Sequence, residues 1–441
     1  MPNSKNGALL QVANIIAFFA TFIVNLLASF SGLNGRATGQ ISDLFPALFT
    51  PAGYVFSIWT IIYTLLLIFT MYQALPRNRD RGFMADIGYL FVLNCIANIT
   101  WLFLWHWLYP AISVILMFIL LGTLIAIYLK LNIGRSEASR NEKLAVHLPF
   151  SVYLGWITVA PVANVSAALI SLGWNGGSLG PVIWTNIVLV IALIITIAVL
   201  VTRADVAFGL VLIWALSGIV VKNSGEPSIV FTSEAAMVII ALVLIWIAYG
   251  ILSTRGVEKP KYNVIRKTKG YEIRQYGDMV AAEIETSGDL GSSLRSGFNA
   301  LANYIFGNNS RRESIAMTSP VSIEERASEK ISMTAPVMQE LKGKGSVVSF
   351  IMPSKYTVES LPVPNNSAIR IRVIKARKVA AWVFWGRVTD SKFGIMQNAF
   401  VKALGADGIE ISGMLLAQYN PPFTLPSMRR NELLAEIKQG A

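Results

Sequence analysis

Large aromatic and amide side chains recur at helical spacing in three apolar segments of the sequence. Residues three or four positions apart lie on one face of a helix. Rings on such a face offer flat apolar area, and amides offer orientation, so together they favour a pocket for a flat, apolar ligand. The alternative is helix packing, with amides bonding across helices. The residues are Phe56, Trp59 and Tyr63; Asn94, Asn98, Trp101 and Trp105; and Tyr153, Trp156, Ala160 and Asn164.

The sequence contains no recognisable set of residues for catalysis. Its two histidines, His106 and His147, and its single cysteine, Cys95, all lie in the apolar half of the chain. We find no Ser/His/Asp set, paired carboxylates, phosphate loop or metal-ligand cluster. Nor does any basic run alternate with aromatic residues as nucleic-acid binding requires. We therefore predict a protein that is not an enzyme and has no nucleic-acid partner.

The aromatic segments belong to a chain that is too apolar for a soluble protein. Of its 441 residues 54% are hydrophobic. A membrane-spanning helix needs about 20 apolar residues. The sequence therefore predicts an all-α polytopic bundle of about eight transmembrane helices over 1–252, with the lipid bilayer as its partner. The apolar runs lie near 9–30, 54–75, 87–107, 109–130, 145–171, 181–202, 206–221 and 234–252.

Basic residues between these runs alternate from side to side. Only Arg36 and Lys222 fall on one side. Cytoplasmic loops carry an excess of Lys and Arg, so we expect the N-terminus and the C-terminal domain to be cytoplasmic. A bacterial cytoplasmic membrane is the expected location. The other side has Lys5, Arg77, Arg79, Arg81, Lys130, Arg135, Arg140, Lys143 and Arg203.

The aromatic motifs resemble those of the TspO/translocator family of tryptophan-rich sensory proteins. The resemblance covers roughly 1–172 and leaves three further spans unassigned. Tyr54 stands where the family usually has Trp. The resemblance implies a pocket for porphyrins and other planar or steroid-like ligands. Its residues here would be Tyr54, Phe56, Trp59, Asn98, Trp101, Trp156, Ala160 and Asn164.

The chain after a short charged linker at 253–261 has the composition of a soluble domain, expected over 262–438. Alternating apolar residues predict strands over 271–276 and 280–285, followed by an amphipathic helix. The pattern recurs about 99 residues later, where Val379-Ala380-Ala381 repeats Val280-Ala281-Ala282. A shorter echo links 316–321 with 332–337. The duplication predicts an α+β domain with one pseudo-symmetric sheet.

The same region resembles the SOUL haem-binding protein family across nearly all of 260–438. The resemblance implies a distorted antiparallel β-barrel with two helices, built by duplication. It also implies tetrapyrrole binding in a groove beside the first helix, at Arg295, Phe298 and Ala302. The matching motifs are the paired Met-Thr-x-Pro-Val segments, 350–356, Leu361-Pro362-x-Pro364 and Arg429-Arg430-Asn431-Glu432.

Haem or another porphyrin is therefore the expected cofactor, although residues 256–441 contain no histidine to ligate its iron. Binding would use apolar packing and basic groups, or an unusual Tyr or Met ligand. Arg295 would pair with a propionate and Phe298 would pack on the macrocycle. The plainer interpretation of Arg295 is a solvated helix face, and that of Phe298 is core packing.

These observations together predict a membrane-anchored tetrapyrrole-binding protein for sensing, storage or trafficking. Two alternatives stay open. One is a transporter or permease of a small apolar ligand, gated by the soluble domain. The other is a ligand-free module that binds a cytoplasmic protein partner.

Overall fold

The computed structural model describes residues 4–30, 33–174, 176–268, 270–311, 328–342, 345–421 and 424–438. The chain divides into two compact units, Met1–Tyr249 and Gly250–Ala441. The first copy of the short echo, 316–321, lies outside the described residues.

The first unit is helical throughout its described part. Short 3-10 turns join several helices, and one of them, Gly53–Ser57, leads directly into α3. The helices are α1 (Ser4–Phe30), α2 (Thr38–Asp43), α3 (Ile58–Ala74), α4 (Gly82–Ile87), α5 (Leu90–His106), α6 (Pro110–Lys130), α7 (Arg140–Glu142), α8 (Leu148–Ser171), α9 (Gly180–Arg203), α10 (Val206–Lys222) and α11 (Pro227–Ser253).

Each predicted apolar run corresponds to one of these helices. Among the described residues, six helical segments are long and apolar enough to cross a membrane: α1, α3 together with its preceding 3-10 turn (Gly53–Ala74), α6, α8, α9 and α11. The remaining two predicted spans are the shorter apolar helices α5 and α10, each 17 residues long. The helical class of this half is therefore as predicted, while two of its eight apolar helices are shorter than the expected span.

Polar contacts attach the start of α10 to helices α6 and α8. Asp205 caps α10 by accepting the Phe208 N–H (3.1 Å). Its carboxylate also accepts the hydroxyls of Tyr128 (2.9 Å) on α6 and Ser151 (2.5 Å) on α8. A buried carboxylate is stable only when such donors surround it, so Asp205 fixes where α10 begins against α6 and α8.

The second unit is an antiparallel sheet with two helices. Its nine-stranded sheet has the order β1-β2-β9-β11-β10-β5-β6-β3-β8 within the described residues, and β4 pairs separately with β7. The elements are β1 (Tyr262–Lys267), β2 (Glu272–Tyr276), β3 (Met279–Ser287), α12 (Leu290–Ile305), β4 (Asn309–Ser310), β5 (Val337–Lys342), β6 (Gly345–Ile351), β7 (Val363–Pro364), β8 (Arg370–Ile374), β9 (Arg377–Trp385), α13 (Asp390–Ala406), β10 (Ile411–Gln418) and β11 (Arg430–Ile437).

The predicted duplication is visible in how the strands pair. β2 of the first half pairs with β9 of the second, with Arg274 opposite Val379. The counterpart of β2, β8, pairs with β3 of the first half, with Arg372 opposite Ala281. Each half therefore gives one strand to the other. The result is a curled, strand-rich antiparallel sheet, a half-barrel, which agrees with the predicted fold class.

The two helices cover one face of this sheet. α12 packs over a core that includes Leu301, Val348 and Phe350, and α13 over one that includes Phe400 and Leu416. Since side chains alternate along a strand, the residues between these point to the opposite face. That helix-free face holds a third cluster of alanine, aliphatic and aromatic residues, which includes Tyr276, Ala281, Met338, Ile351 and Leu434.

Candidate functional site

Helices α3 and α8 bring the predicted aromatic residues into one ring cluster. The Trp59 ring stacks on Tyr63 with centroids 5.6 Å apart. It also meets the edges of Trp156 at 6.2 Å and Tyr153 at 5.9 Å. Phe56, on the 3-10 turn before α3, meets Trp156 at 5.9 Å. Two of the three stripes expected from the sequence therefore face each other.

Asn98 on α5 braces this cluster from behind. It is fully buried. Its amide nitrogen donates to the Tyr153 hydroxyl at 3.3 Å, and its oxygen accepts the Asn25 amide at 2.7 Å. These bonds join α1, α5 and α8. Asn98 thus acts as the cross-helix amide of the packing interpretation, and does not line either cavity described below.

A second amide, Asn164, links the third stripe to the second. Its oxygen accepts the Trp101 indole N–H at 2.9 Å. Its nitrogen donates to the Ser113 hydroxyl at 2.9 Å. Because the Trp101 donor is satisfied in this way, the indole ring is held in one orientation, with its neighbour Trp105 stacked 6.0 Å away.

Two adjoining cavities lie against these rings. The smaller, of about 50 Å³, is surrounded by tryptophans and also by Phe56, Ala160 and Asn164. The larger, of about 620 Å³, runs between α1 and α3. Ligand pockets usually measure about 300–1,000 Å³, so the larger groove has the size for a drug-sized ring system and the smaller one only for a substituent. Both are lined by Thr38, Phe56, Trp59 and Trp101.

Two buried polar atoms at this site, the Tyr63 hydroxyl and the Trp156 indole nitrogen, have no partner among the described residues. Among the described residues, no acceptor lies within hydrogen-bonding distance of the buried indole nitrogen Nε1 of Trp156. An unpaired buried donor costs about 1–3 kcal/mol. Trp156 lines the smaller cavity, so an acceptor on a bound molecule would remove that cost.

Tyr54 departs from the expected pocket. It lines neither cavity. Its ring meets Trp214 of α10 at 5.3 Å, and its hydroxyl lies 3.0 Å from that of Ser217. The structure therefore brings together Phe56, Trp59, Trp101, Trp156, Ala160 and Asn164 around the cavities, keeps Asn98 behind them, and places Tyr54 against α10.

Several lining residues were not predicted. Thr38 and Ser42 come from the short helix α2, and Met117 from α6. Their types are common in any helix, and nothing in their spacing marks them. Asn25 on α1 lines the larger groove, and an amide inside an apolar run could have signalled it.

Helix α10 supports the turn that carries Phe56. The Ala52 N–H donates to the Gly218 carbonyl at 3.0 Å. The Trp214 indole donates to the Val55 carbonyl at 3.1 Å. A Cβ on Gly218 would lie only 2.1 Å from the Val55 side chain, so this approach requires glycine. The helices beyond residue 172 thus position one wall of the pocket.

The ring nitrogens of His106 are both engaged in polar contacts, Nδ1 with the Leu33 carbonyl at 2.8 Å and Nε2 with the Thr38 hydroxyl at 3.1 Å. Within the described part of the chain, no group of three or more His, Cys, Asp or Glu residues could hold a metal ion.

In the second unit, the three residues predicted beside α12 have different environments. Arg295 is exposed to solvent. Phe298 is half-buried and packs on Phe350 of the core, with ring centroids 5.4 Å apart. Ala302 is buried beneath the helix. These residues share a helix face, but only Arg295 presents its side chain freely to solvent.

Comparison with sequence families assigns both halves of the chain. The sequence model of the TSPO-like protein family matches residues 11–254 of the 441. That of the SOUL heme-binding protein family matches residues 257–436. Both resemblances drawn from the motifs are confirmed. The first match also continues through α9, α10 and α11, which the motifs had left unassigned. No curated protein matches the chain.

Solved structures give only weak likenesses. The EcmrR C-terminal domain is similar over 40% of this chain and 98% of its own, at 10% identity and a TM-score of 0.27. A hydrolase from Listeria innocua is similar over 40% and 94%, at 10% identity and a TM-score of 0.27. Scores this low carry no argument about this chain.

Proposed function

The chain belongs to the TSPO-like protein family, and from this membership we propose that it is a membrane protein that binds a tetrapyrrole, for sensing, storage or trafficking. The second family match supports the same ligand class, because residues 257–436 match a heme-binding family. Two domains of different architecture, each from a family associated with porphyrins, are joined in one chain. We propose a binding role and not a catalytic one.

The observation that carries the proposal is the pair of adjoining cavities walled by Phe56, Trp59 and Trp101. Aromatic rings interact with each other through offset-stacked and edge-to-face contacts, and a macrocycle can engage them in the same way. The mouth of the larger groove is bordered by the exposed Leu26 and Leu67. An apolar ligand dissolved in the bilayer could reach it without crossing water.

The basic residues support a cytoplasmic location for the N-terminus and the soluble domain. Arg81 of one basic loop pairs with Glu142 of another at 3.3 Å. Arg203 donates to Asn132 at 2.6 Å. Loops that the positive-inside rule places in the cytoplasm therefore lie at one end of the helical unit. We propose a bacterial cytoplasmic membrane as its location.

The proposal is tested with the full chain in lipid nanodiscs, titrated with protoporphyrin IX and followed by quenching of tryptophan fluorescence. Trp59→Ala removes the central ring of the cluster, and we expect affinity to fall by about ten-fold or more. Trp246→Ala is the matched control, because Trp246 lies exposed on α11 and lines neither cavity.

Saturable quenching supports the proposal if Trp59→Ala lowers the affinity and Trp246→Ala leaves the affinity unchanged. Equal weakening by both variants, or no saturable binding by a folded chain, contradicts it. The transporter alternative predicts one further result, accumulation of labelled porphyrin inside sealed vesicles, which a static binder would not give.

A further inference from the structure

The second unit contains a groove of about 610 Å³ that is separate from the α12 surface. Its lining combines residues of the helix-free face, such as Tyr276 and Ile351, with Val280 and Met352 of the core beneath α12. One wall is the connector that follows α11, and the others are the β2–β3 turn and the segment after β6. Its lining includes Lys261, Tyr262, Tyr276, Met279, Met352 and Tyr356. Arg295, Phe298 and Ala302 are not part of it.

The groove lies where the connector, the β2–β3 turn and the segment after β6 come together. Met279, Ile351 and Val373 contribute apolar surface to its lining.

The walls present aromatic surface. Tyr262 and Tyr276 lie with ring centroids 5.2 Å apart, and the Arg274 guanidinium lies 4.2 Å from the centroid of Tyr262. Tyr356 stands on another wall. Flat apolar area combined with fixed polar groups is the usual composition of a small-molecule site.

The rim favours an anion. Lys259 and Lys261 line it against the carboxylates of Glu258 and Asp278. The Asp278 carboxylate accepts the Ala376 N–H at 2.7 Å and pairs with Lys375 at 3.2 Å, so its charge is offset. With Lys375 counted, three ammonium groups face two carboxylates at the rim, so the carboxylates of a ligand would meet a net positive charge there.

No histidine lines the groove, and two of its tyrosine hydroxyls are unsuited to ligate iron. Residues 256–441 contain no histidine. Burial raises the pKa of Tyr276 to about 12, so its hydroxyl is neutral at physiological pH. The Tyr356 hydroxyl donates to Glu329 at 2.8 Å. Tyrosine ligates haem iron as the anion, and these two hydroxyls are held in the neutral form.

We infer that this groove is the tetrapyrrole site of the second unit. Its tyrosines contact the macrocycle, and the rim lysines pair with the carboxylates of the ligand, without ligation of iron. This inference rests on the proposed function. It assigns a site other than Arg295, Phe298 and Ala302, and it extends the ligand class to metal-free porphyrins.

The connector makes occupancy of this groove relevant to the rest of the chain. The Glu258 carbonyl accepts the Ala335 N–H at 2.9 Å, and its carboxylate accepts the Ser354 N–H at 3.0 Å. The connector is thus fastened to the sheet by both main chain and side chain. A ligand in the groove would contact the segment that continues directly from α11.

The test is hydrogen exchange with mass spectrometry on the full chain, with and without protoporphyrin IX. We expect slower exchange in peptides covering 258–264, 275–280 and 351–356, and unchanged exchange in 290–305. Protection only in 290–305 overturns the inference and keeps a tetrapyrrole site in this unit. Protection only in the membrane unit overturns it and keeps the proposed function. Protection nowhere contradicts both.

Charge reversal gives an independent arm, read from the same groove peptides as porphyrin concentration is varied. Lys261→Glu should raise the half-saturating porphyrin concentration about ten-fold, because a negative side chain would then face the carboxylates of the ligand. Lys402→Glu, an equal charge change on exposed α13, should have no effect. Equal effects of the two variants would overturn the rim assignment.

Haemin and protoporphyrin IX distinguish macrocycle binding from iron ligation. We expect half-saturating concentrations within about three-fold of each other in the groove peptides, since axial ligation would favour only the iron complex. Preference for haemin by a hundred-fold or more, with a sharpened Soret band, would overturn the iron-independent part of the inference.

Discussion

Trp156 is the residue at which one missing hydrogen bond bears on ligand binding. Its indole nitrogen is buried and has no partner within the described ranges, whereas the Trp101 nitrogen is bonded to Asn164. The two tryptophans lie on the same cavity. A ligand could therefore accept a hydrogen bond from the Trp156 nitrogen, whereas the Trp101 nitrogen already donates to Asn164.

We expect Trp156→Phe to weaken protoporphyrin binding about two- to ten-fold without lowering the stability of the ligand-free protein. The substitution keeps an aromatic ring and removes only an unpaired donor, and a typical hydrogen bond contributes about 0.5–1.5 kcal/mol. Fluorescence titration and thermal unfolding without ligand measure the two effects. An unchanged affinity would mean that the ligand does not accept from Nε1. Trp246→Phe controls for the loss of one indole.

Arg274 and Glu432 form a fully buried ion pair at 2.9 Å on the helix-free face of the sheet. Glu432 also accepts Arg430 at 2.6 Å and the Tyr419 hydroxyl at 2.5 Å. Burial by itself would lower the pKa of Arg274, but the Glu432 carboxylate raises it. Arginine is in any case always charged in proteins, so this residue needs its partner.

Glu432→Gln should destabilise the sheet by about 1.5–3 kcal/mol, the usual contribution of a hydrogen bond to a charged group. It removes the fully buried one of the two carboxylates that bond to Arg274, while Glu272 stays at 2.9 Å. Amide exchange in β2, β9 and β11 should become faster by about one to two orders of magnitude. Glu285→Gln is the matched control, since its pair with Arg370 is exposed on both sides and exposed pairs contribute about 0–1 kcal/mol. Similar exchange in both variants would show that the buried pair contributes little.

Among the elements, α10 has a role that its short, uniformly apolar sequence does not suggest. Its Gly218 lies against the turn that carries Phe56, and its Trp214 and Asn223 bond to carbonyls of the same loop region. The helix thus connects the later part of the membrane unit to the aromatic cavities.

Gly218→Ala should displace the Phe56 turn, because the added Cβ would lie 2.1 Å from Val55. Overpacking of this kind costs about 1–3 kcal/mol, and we expect weaker porphyrin binding together with a lower unfolding temperature. Gly122→Ala on α6 is the control, since nothing lies within 4 Å of its added Cβ. Normal binding by Gly218→Ala would show that the turn is not positioned by α10.

At the scale of the whole molecule, the sequence predicts on which side of the membrane the soluble unit lies. A protease added to sealed vesicles should digest the soluble unit only when the vesicles are inverted, because an even number of crossings returns the chain to the cytoplasmic side. Digestion in right-side-out vesicles would contradict the orientation. It would then indicate that α5 or α10 does not cross the membrane.

The sequence by itself determined the features that depend on local periodicity. The apolar runs identified eight helices, the spacing of rings and amides identified their shared faces, and the duplication identified two related halves of a sheet. These features follow from the repeat of the chain itself: 3.6 residues per turn of a helix, or alternation along a strand.

Only the tertiary structure decided which faces meet. Tyr54 and Phe56 are close in sequence, yet packing places Tyr54 against α10 and Phe56 against Trp156. Packing likewise makes Asn98 a brace, and leaves a groove between Tyr262 and the 350–356 motif that the sequence did not predict. The physical reason is that a cavity is the space left between segments distant in sequence, so its position depends on side-chain volumes contributed by all of them.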